Sequence, residues 1–83
     1  MQLLYFAWVR ERIGVGAEDV AVPEAVVNVA DLICWLSGRS EGHAAALAEP
    51  AKLRAAIDQV FVSLDAPLAG AKEVAIFPPV TGG

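Results

Sequence analysis

Apolar and polar residues alternate with two different periods along this 83-residue chain. The first apolar run, Leu3 to Val9, is short for a helix and ends in charged residues, which predicts a strand covered on both faces. Residues 10–14 are predicted to form a short helical turn, which ends at Gly14 and Gly16. Weak alternation in residues 18–22, closed by Pro23, predicts a second strand paired with the first.

The period changes after Asn28, where a helix is predicted. Asn28 is a good N-cap, the charge of Asp31 suits the positive end of the helix dipole, and Gly38 is placed to end the helix. The apolar stripe of this helix, at i, i+3, i+4 and i+7, consists of Val29, Leu32, Ile33 and Leu36.

The second half of the chain favours strands. Residues 39–52 are polar, then alanine-rich, and predict a connecting turn of helix and a loop. Two short β-type stretches, residues 55–57 and 60–62, flank Asp58-Gln59, which suits a tight turn. A last strand is predicted over residues 73–77.

These elements describe one α+β domain over residues 1–77, a mixed sheet of about five strands packed on one main helix. Residues 78–83 are predicted to form an extended, flexible C-terminal tail. A chain of this length buries only one core, so a second catalytic domain is not expected.

Composition points to a partner protein. Hydrophobic residues make up 57% of the chain and charged residues 19%, an apolar surplus that must be packed or face a partner. The net charge of −4 argues against nucleic acid. A single cysteine cannot form an internal disulfide, and no apolar run approaches the length that spans a bilayer, so a cytoplasmic protein without membrane contact is expected.

Side chains capable of catalysis are scarce. His43 is the only histidine and is predicted to be a solvated loop residue. Cys34 lies beside the helical core stripe and is predicted to be a structural, buried thiol. One cysteine and one histidine cannot build a zinc site, so no metal is expected, and Gly14-Val15-Gly16 is interpreted as a turn.

The C-terminal segment is the most informative part of the chain. Two prolines favour an extended spacer, and two glycines make a thread thin enough to enter the channel of another protein. The segment reads Pro78-Pro79-Val80-Thr81-Gly82-Gly83. We therefore expect the α-carboxylate of Gly83 to be the reacting group, with activation supplied by another enzyme.

Four segments of the chain carry a family resemblance: Phe6–Glu11, Ile57–Gln59, Val62–Leu68 and Glu73–Gly83. Through them the whole chain resembles the small, sulfur-carrying subunit of molybdopterin synthase, a ubiquitin-like β-grasp family. Two departures from the family pattern, Asp58 and Gly70-Ala71-Lys72, lie in turns.

The resemblance implies a non-catalytic subunit of a heteromeric, heterotetrameric sulfurtransferase. An ATP-dependent activating enzyme would adenylate Gly83, and a sulfur donor would convert it to a thiocarboxylate. The large synthase subunit would bind the tail, Gly82 included, and sulfur would pass to cyclic pyranopterin monophosphate to form molybdopterin. No cofactor is expected to bind the chain itself.

Strand alternation predicts where partners dock. If the β-branched pairs Val74/Ile76 and Val60/Val62 pack on the helix, Phe77 and Phe61 face outward. Phe6 joins them if Leu3, Tyr5 and Ala7 point inward. The resulting hypothesis is an aromatic docking patch with Arg10 at its rim, continued by the tail residues Pro78, Pro79, Val80 and Thr81.

Three other functions fit the same sequence. A sulfur carrier for thiamine thiazole synthesis and a ubiquitin-like modifier of lysines would share the fold and tail. A plain interaction module would use the apolar face alone and would survive deletion of Gly83.

Overall fold

The computed structural model describes residues 1–79, which contain five strands and three α-helices. The strands are β1 (Gln2–Tyr5), β2 (Ala17–Asp19), β3 (Arg54–Ile57), β4 (Val60–Val62) and β5 (Glu73–Phe77). The helices are α1 (Ala7–Ile13), α2 (Val29–Ser37) and α3 (Glu41–Ala46), with a 3₁₀ turn at Pro50–Lys52. Their order along the chain is β1-α1-β2-α2-α3-β3-β4-β5. In this part of the chain no helix has both the length and the apolar character needed to cross a bilayer.

The strands form one mixed sheet in the order β2-β1-β5-β3-β4. Its centre is a parallel pair, β1 and β5, in which Leu3 lies opposite Val74 and Tyr5 opposite Ile76. All other pairs are antiparallel. The predicted mixed five-stranded sheet is therefore confirmed, with β5 hydrogen-bonded on both sides.

Helix α2 forms as its sequence predicts. The side chain of Asn28 accepts a hydrogen bond from the Asp31 backbone N–H at 2.8 Å, which satisfies one free donor of the first turn. The helix ends at Gly38, whose N–H bonds to the carbonyls of Trp35 and Leu36. The predicted stripe is buried and packs with Leu3, Val74 and Ile76 in a single core.

The predicted strand from Leu3 to Val9 is wrong in its second half. The chain leaves the sheet after Tyr5, and Ala7, with φ of +54°, begins α1. Seven apolar residues therefore serve one short strand and the first helical turn, and periodicity cannot divide so short a run. The predicted stop is correct, since Gly14 adopts φ of +99° and its N–H caps the Arg10 carbonyl.

The second strand is shorter and earlier than predicted, because pairing with β1 ends at the Gln2–Asp19 pair. The segment 39–52 contains the predicted turn of helix, which is α3. Its N-cap Ser40 accepts the His43 backbone N–H at 3.1 Å.

The turn between β3 and β4 has the predicted position. Asp58 and Gln59 adopt φ of +48° and +72°, the left-handed conformations of a tight hairpin. The Asp58 carboxylate accepts the backbone N–H groups of Lys72 and Glu73 at 3.1 and 3.0 Å, which ties the turn to the start of β5.

Candidate functional site

The face of the sheet opposite α2 is open and bears an apolar groove. Side chains alternate along each strand, so Leu3 and Tyr5 enter the core while Leu4 points to the other side. Leu4, Ala56 and Ala75 form the floor of this groove. They lie next to one another because β5 pairs with both β1 and β3 in this register.

Three phenylalanines line the groove. Phe6 is 49% exposed, Phe61 is 75% exposed, and Phe77 is half-buried. The rings of Phe61 and Phe77 touch, with centroids 5.4 Å apart and a 43° angle between their planes. The structure thus brings together the three residues of the hypothesised patch, on the side of the sheet that the alternation of β5 predicts.

The groove has a volume of about 780 Å³ and reaches the end of β5. Pro78 and Pro79, which lead into the tail, line it together with Ala7. Gln59 and Glu73 supply polar groups to its lining. A partner seated in the groove would therefore also contact the first residues of the C-terminal segment.

Four predicted tail residues lie outside the part of the chain that the structure describes. They are Val80, Thr81, Gly82 and Gly83. Their proposed roles remain predictions.

Arg10, predicted at the rim of the patch, does not line the groove. It is exposed on α1 and lies over the loop that follows this helix, where a Cβ on Gly16 would be 3.1 Å from the arginine Nε. The sequence places Arg10 four residues after Phe6, but the turn into α1 directs it elsewhere.

Val60 also differs from prediction. It was expected to pack inward with Val62, yet it is 64% exposed, whereas Val62 packs partly against the core. β4 is a three-residue edge strand, and Val60 directly follows the turn at Asp58-Gln59, so no helix covers it.

The ThiS family model matches residues 3–83 of the chain. The chain belongs to the ThiS family.

Relatives of this ThiS-family chain carry a more specific name. A protein from Escherichia coli named molybdopterin synthase sulfur carrier subunit is 45% identical over 83 residues, covering 100% of this chain and 99% of the relative. A Haemophilus influenzae protein of the same name is 39% identical over 87 residues, with the same coverage. These matches confirm the resemblance stated from the sequence.

The solved structures agree on the fold. The crystal structure of SAMP1 from Haloferax volcanii matches with a TM-score of 0.72 and 26% identity, covering 100% of this chain and 98% of that one. Together with the mixed sheet and α2, this likeness confirms the β-grasp fold.

A polar cluster of Tyr5, Glu18, Ser40 and His43 lies away from the groove, on the other side of the sheet. It was not predicted from the sequence. His43 is only 7% exposed, so its prediction as a solvated loop residue is wrong. Its Nε2 is 2.7 Å from Glu18 Oε2, and its Nδ1 is 2.7 Å from Ser40 Oγ. Ser40 lies three residues before His43, so this contact could be predicted from the sequence. Glu18 lies 25 residues away on another element, so its contact could not.

The cluster changes the acidity of two of its members. Burial raises the pKa of Tyr5 above its ordinary value, and the hydrogen bond to Glu18 raises it further. Burial alone would raise the pKa of Glu18, but hydrogen bonds from His43 and Tyr5 and the nearby charges of His43 and Arg39 outweigh it. The pKa of Glu18 is therefore lowered.

Cys34 is exposed, which corrects the prediction of a buried thiol. It follows Ile33, one of the core stripe residues of α2, and a step of about 100° per residue turns it away from the core. Residues 1–79 contain no group of three His, Cys, Asp or Glu side chains placed to hold a metal ion.

Proposed function

We propose that this chain is the sulfur carrier subunit of a molybdopterin synthase, with Gly83 as the carrier residue. The observation that supports this most strongly is the name shared by full-length relatives, the first at 45% identity. The Gly82-Gly83 ending supplies the chemical group that such a carrier needs.

The chemistry at Gly83 requires activation. A terminal carboxylate has a reference pKa of about 3.3–3.7, so it is an anion at neutral pH and a poor electrophile. Attack of this carboxylate on the α-phosphorus of ATP, with pyrophosphate leaving, would give an acyl-adenylate. A donor that delivers sulfur at the oxidation level of hydrosulfide would then displace AMP, forming the C–S bond as the C–O bond to AMP breaks, to leave a thiocarboxylate. Its sulfur is the nucleophile toward cyclic pyranopterin monophosphate.

The groove is the proposed docking surface for the large synthase subunit and for the ATP-dependent activating enzyme. Phe61 is the most exposed large apolar side chain among residues 1–79, and full burial of such a side chain contributes about 1.5–3 kcal/mol. Because Pro78 and Pro79 line the same groove, docking there would fix the origin of the tail at the entrance to a partner's active site.

The mass of the intact chain tests the carrier role. Incubation with ATP, an activating enzyme and a sulfur donor should raise the mass by the difference between sulfur and oxygen. A variant without Gly83 serves as the control and should keep its mass. An unchanged mass for the native chain, with an activating enzyme that loads a known carrier in parallel, would contradict the proposal.

The loaded chain also separates the alternatives. Sulfur transfer to cyclic pyranopterin monophosphate in the presence of the large subunit would support the proposal, whereas transfer only to a thiazole-forming system would favour the thiamine carrier. Conjugates of higher mass in extract would favour a protein modifier. We further propose that these partners meet the chain in the cytoplasm.

A further inference from the structure

Glu18 occupies an unusual position for a carboxylate in so small a domain. Its Oε2 atom receives two hydrogen bonds at 2.7 Å, one from the hydroxyl of Tyr5 and one from Nε2 of His43. These donors lie on β1 and α3, so a single oxygen of β2 joins three elements. The groove, on the opposite face of the sheet, uses none of these groups.

Among residues 1–79, one charged side chain besides His43 lies close to Glu18. Arg39, between α2 and α3, places a guanidinium nitrogen 3.7 Å from Oε1. Asp19, the neighbour on β2, points away and pairs with the N-terminal amine at 3.2 Å. The cluster therefore holds one carboxylate among hydrogen-bond donors and a cation.

The hydrogen-bond roles show that protonation of Glu18 would weaken the cluster most. An ionised carboxylate can only accept, so Tyr5 must donate its O–H and His43 its Nε2–H. The Ser40 hydroxyl facing Nδ1 can either donate or accept, so His43 keeps both partners in either of its protonation states. A proton on Glu18, by contrast, removes the charge that strengthens both bonds.

Helix α3 is short, so its contacts with the rest of the domain decide whether it forms. It has six residues, and besides the Glu18 contact it packs on α1 at Gly42, where a Cβ would lie 2.5 Å from the Arg12 carbonyl oxygen, and it buries Ala46 in the core. Isolated helices of this length are unstable in water, so tertiary contacts must hold it.

We propose that Glu18 is an acid-sensitive clamp, whose ionised carboxylate fixes α3 on the β1–β2 hairpin and whose protonation loosens α3 before the sheet unfolds. This device is separate from the proposed carrier function and does not depend on it.

The direction of the pH effect follows from the contacts. Burial alone would raise the pKa of Glu18, but the bonds from His43 and Tyr5 and the neighbouring charges hold it below the ordinary value of 4.5. A lowered pKa in the folded state means that the stabilisation is complete above pH 4.5 and is lost as the pH falls through the folded value.

Hydrogen exchange of the full chain tests the clamp. The amides of Ala44 and Leu47 report on α3, because they bond to the carbonyls of Ser40 and His43 at 3.0 Å. Between about pH 6 and about pH 3, their protection relative to the amides of β1 and β5 should fall by about tenfold or more.

One variant removes the titrating group, and a second serves as its matched control. Glu18→Gln should show low α3 protection already at pH 6 and little further change, because its amide cannot titrate. Glu11→Gln removes the same charge from an exposed position on α1 and should keep the native profile. If native protein and Glu18→Gln follow the same pH course, or if α3 and the sheet lose protection together, the clamp is refuted.

A direct titration keeps the proposal testable if Glu18→Gln does not fold. The carboxyl carbon of Glu18, followed by NMR, should titrate below pH 4.5 in the native chain. Tyr5→Phe removes one of its two donors and should move that midpoint, and the loss of α3 protection, to higher pH. A Glu18 midpoint that does not move would overturn the assignment.

Discussion

The two faces of the sheet are made from alternate residues of the same strands, yet they have opposite character. Toward α2, Leu3, Val74 and Ile76 are fully buried in one continuous core. On the other face, Leu4 and Ala75 form the floor of an open groove. The closed face is packed with branched aliphatic side chains, whereas the open face places Leu4 and two alanines, Ala56 and Ala75, beneath phenylalanine rings.

The two faces therefore have different roles: one stabilises the fold and the other is available for recognition of a partner. The alanines leave the floor of the groove low, so the rings of Phe61 and Phe77 stand above it and remain available to a partner. The branched residues of the other face fill space against α2, where close packing stabilises the fold. Substitutions on the two faces should therefore affect different measurements.

The largest expected effect is on the closed face. Leu32→Ala removes a fully buried side chain from α2 and should lower the free energy of unfolding by about 2–5 kcal/mol. Urea denaturation measures this loss, and Leu4→Ala on the groove floor is the matched control. Equal losses for the two leucines would contradict the division between the faces.

Gly42→Ala tests the packing of α3 on α1. Alanine normally favours a helix, but here its Cβ would lie 2.5 Å from the Arg12 carbonyl oxygen, and backbone cannot give way cheaply. We expect a loss of about 1–3 kcal/mol in the free energy of unfolding.

Gly38→Ala is the matched control for that experiment, since its Cβ would meet only one backbone oxygen at an ordinary 3.6 Å. It should leave the free energy of unfolding nearly unchanged. A stable Gly42→Ala variant would show that α3 can shift away from α1.

Phe61→Ala should mainly affect partner binding. We expect affinity for the large synthase subunit to fall by about tenfold or more, with the free energy of unfolding changed by less than about 1 kcal/mol. Titration calorimetry measures the affinity. Val27→Ala, which truncates a side chain 59% exposed outside the groove, should leave binding intact. A large loss of stability with unchanged binding would refute the docking surface.

The smallest effects are expected in the turns. Gln59→Gly should raise the free energy of unfolding by up to about 1 kcal/mol, because glycine adopts φ of +72° without the strain of a side chain. Gly70→Ala, at φ of +79°, should lower it by a similar amount although nothing crowds the position. Thermal unfolding of the two variants should shift in opposite directions, and a shared direction would contradict this reading of the backbone.

Local signals predicted much of the fold. The N-cap Asn28 and the stripe of α2 identify that helix, and β-type residues around Asp58-Gln59 identify the hairpin. The bend after Tyr5 could not be predicted, because an alanine with positive φ leaves no mark in a sequence. The same bend explains why Arg10 lies away from the groove.

The aromatic patch was predicted from the sequence, but the groove beneath it was not. Alternation in β5 places Phe77 correctly, whereas the contribution of Leu4 and Ala56 depends on which strands neighbour β5. The Glu18–His43 contact was missed for a related reason, since it joins elements that only the tertiary fold brings together.

The position of β5 has a mechanical consequence. The strand that leads into the C-terminal tail lies between β1 and β3 and is hydrogen-bonded along both sides. A pull on the tail along the strand would load two rows of these bonds in shear, so that many must break together. A partner that pulled on the tail, as the proposed function requires, would therefore leave the strand in the body of the domain.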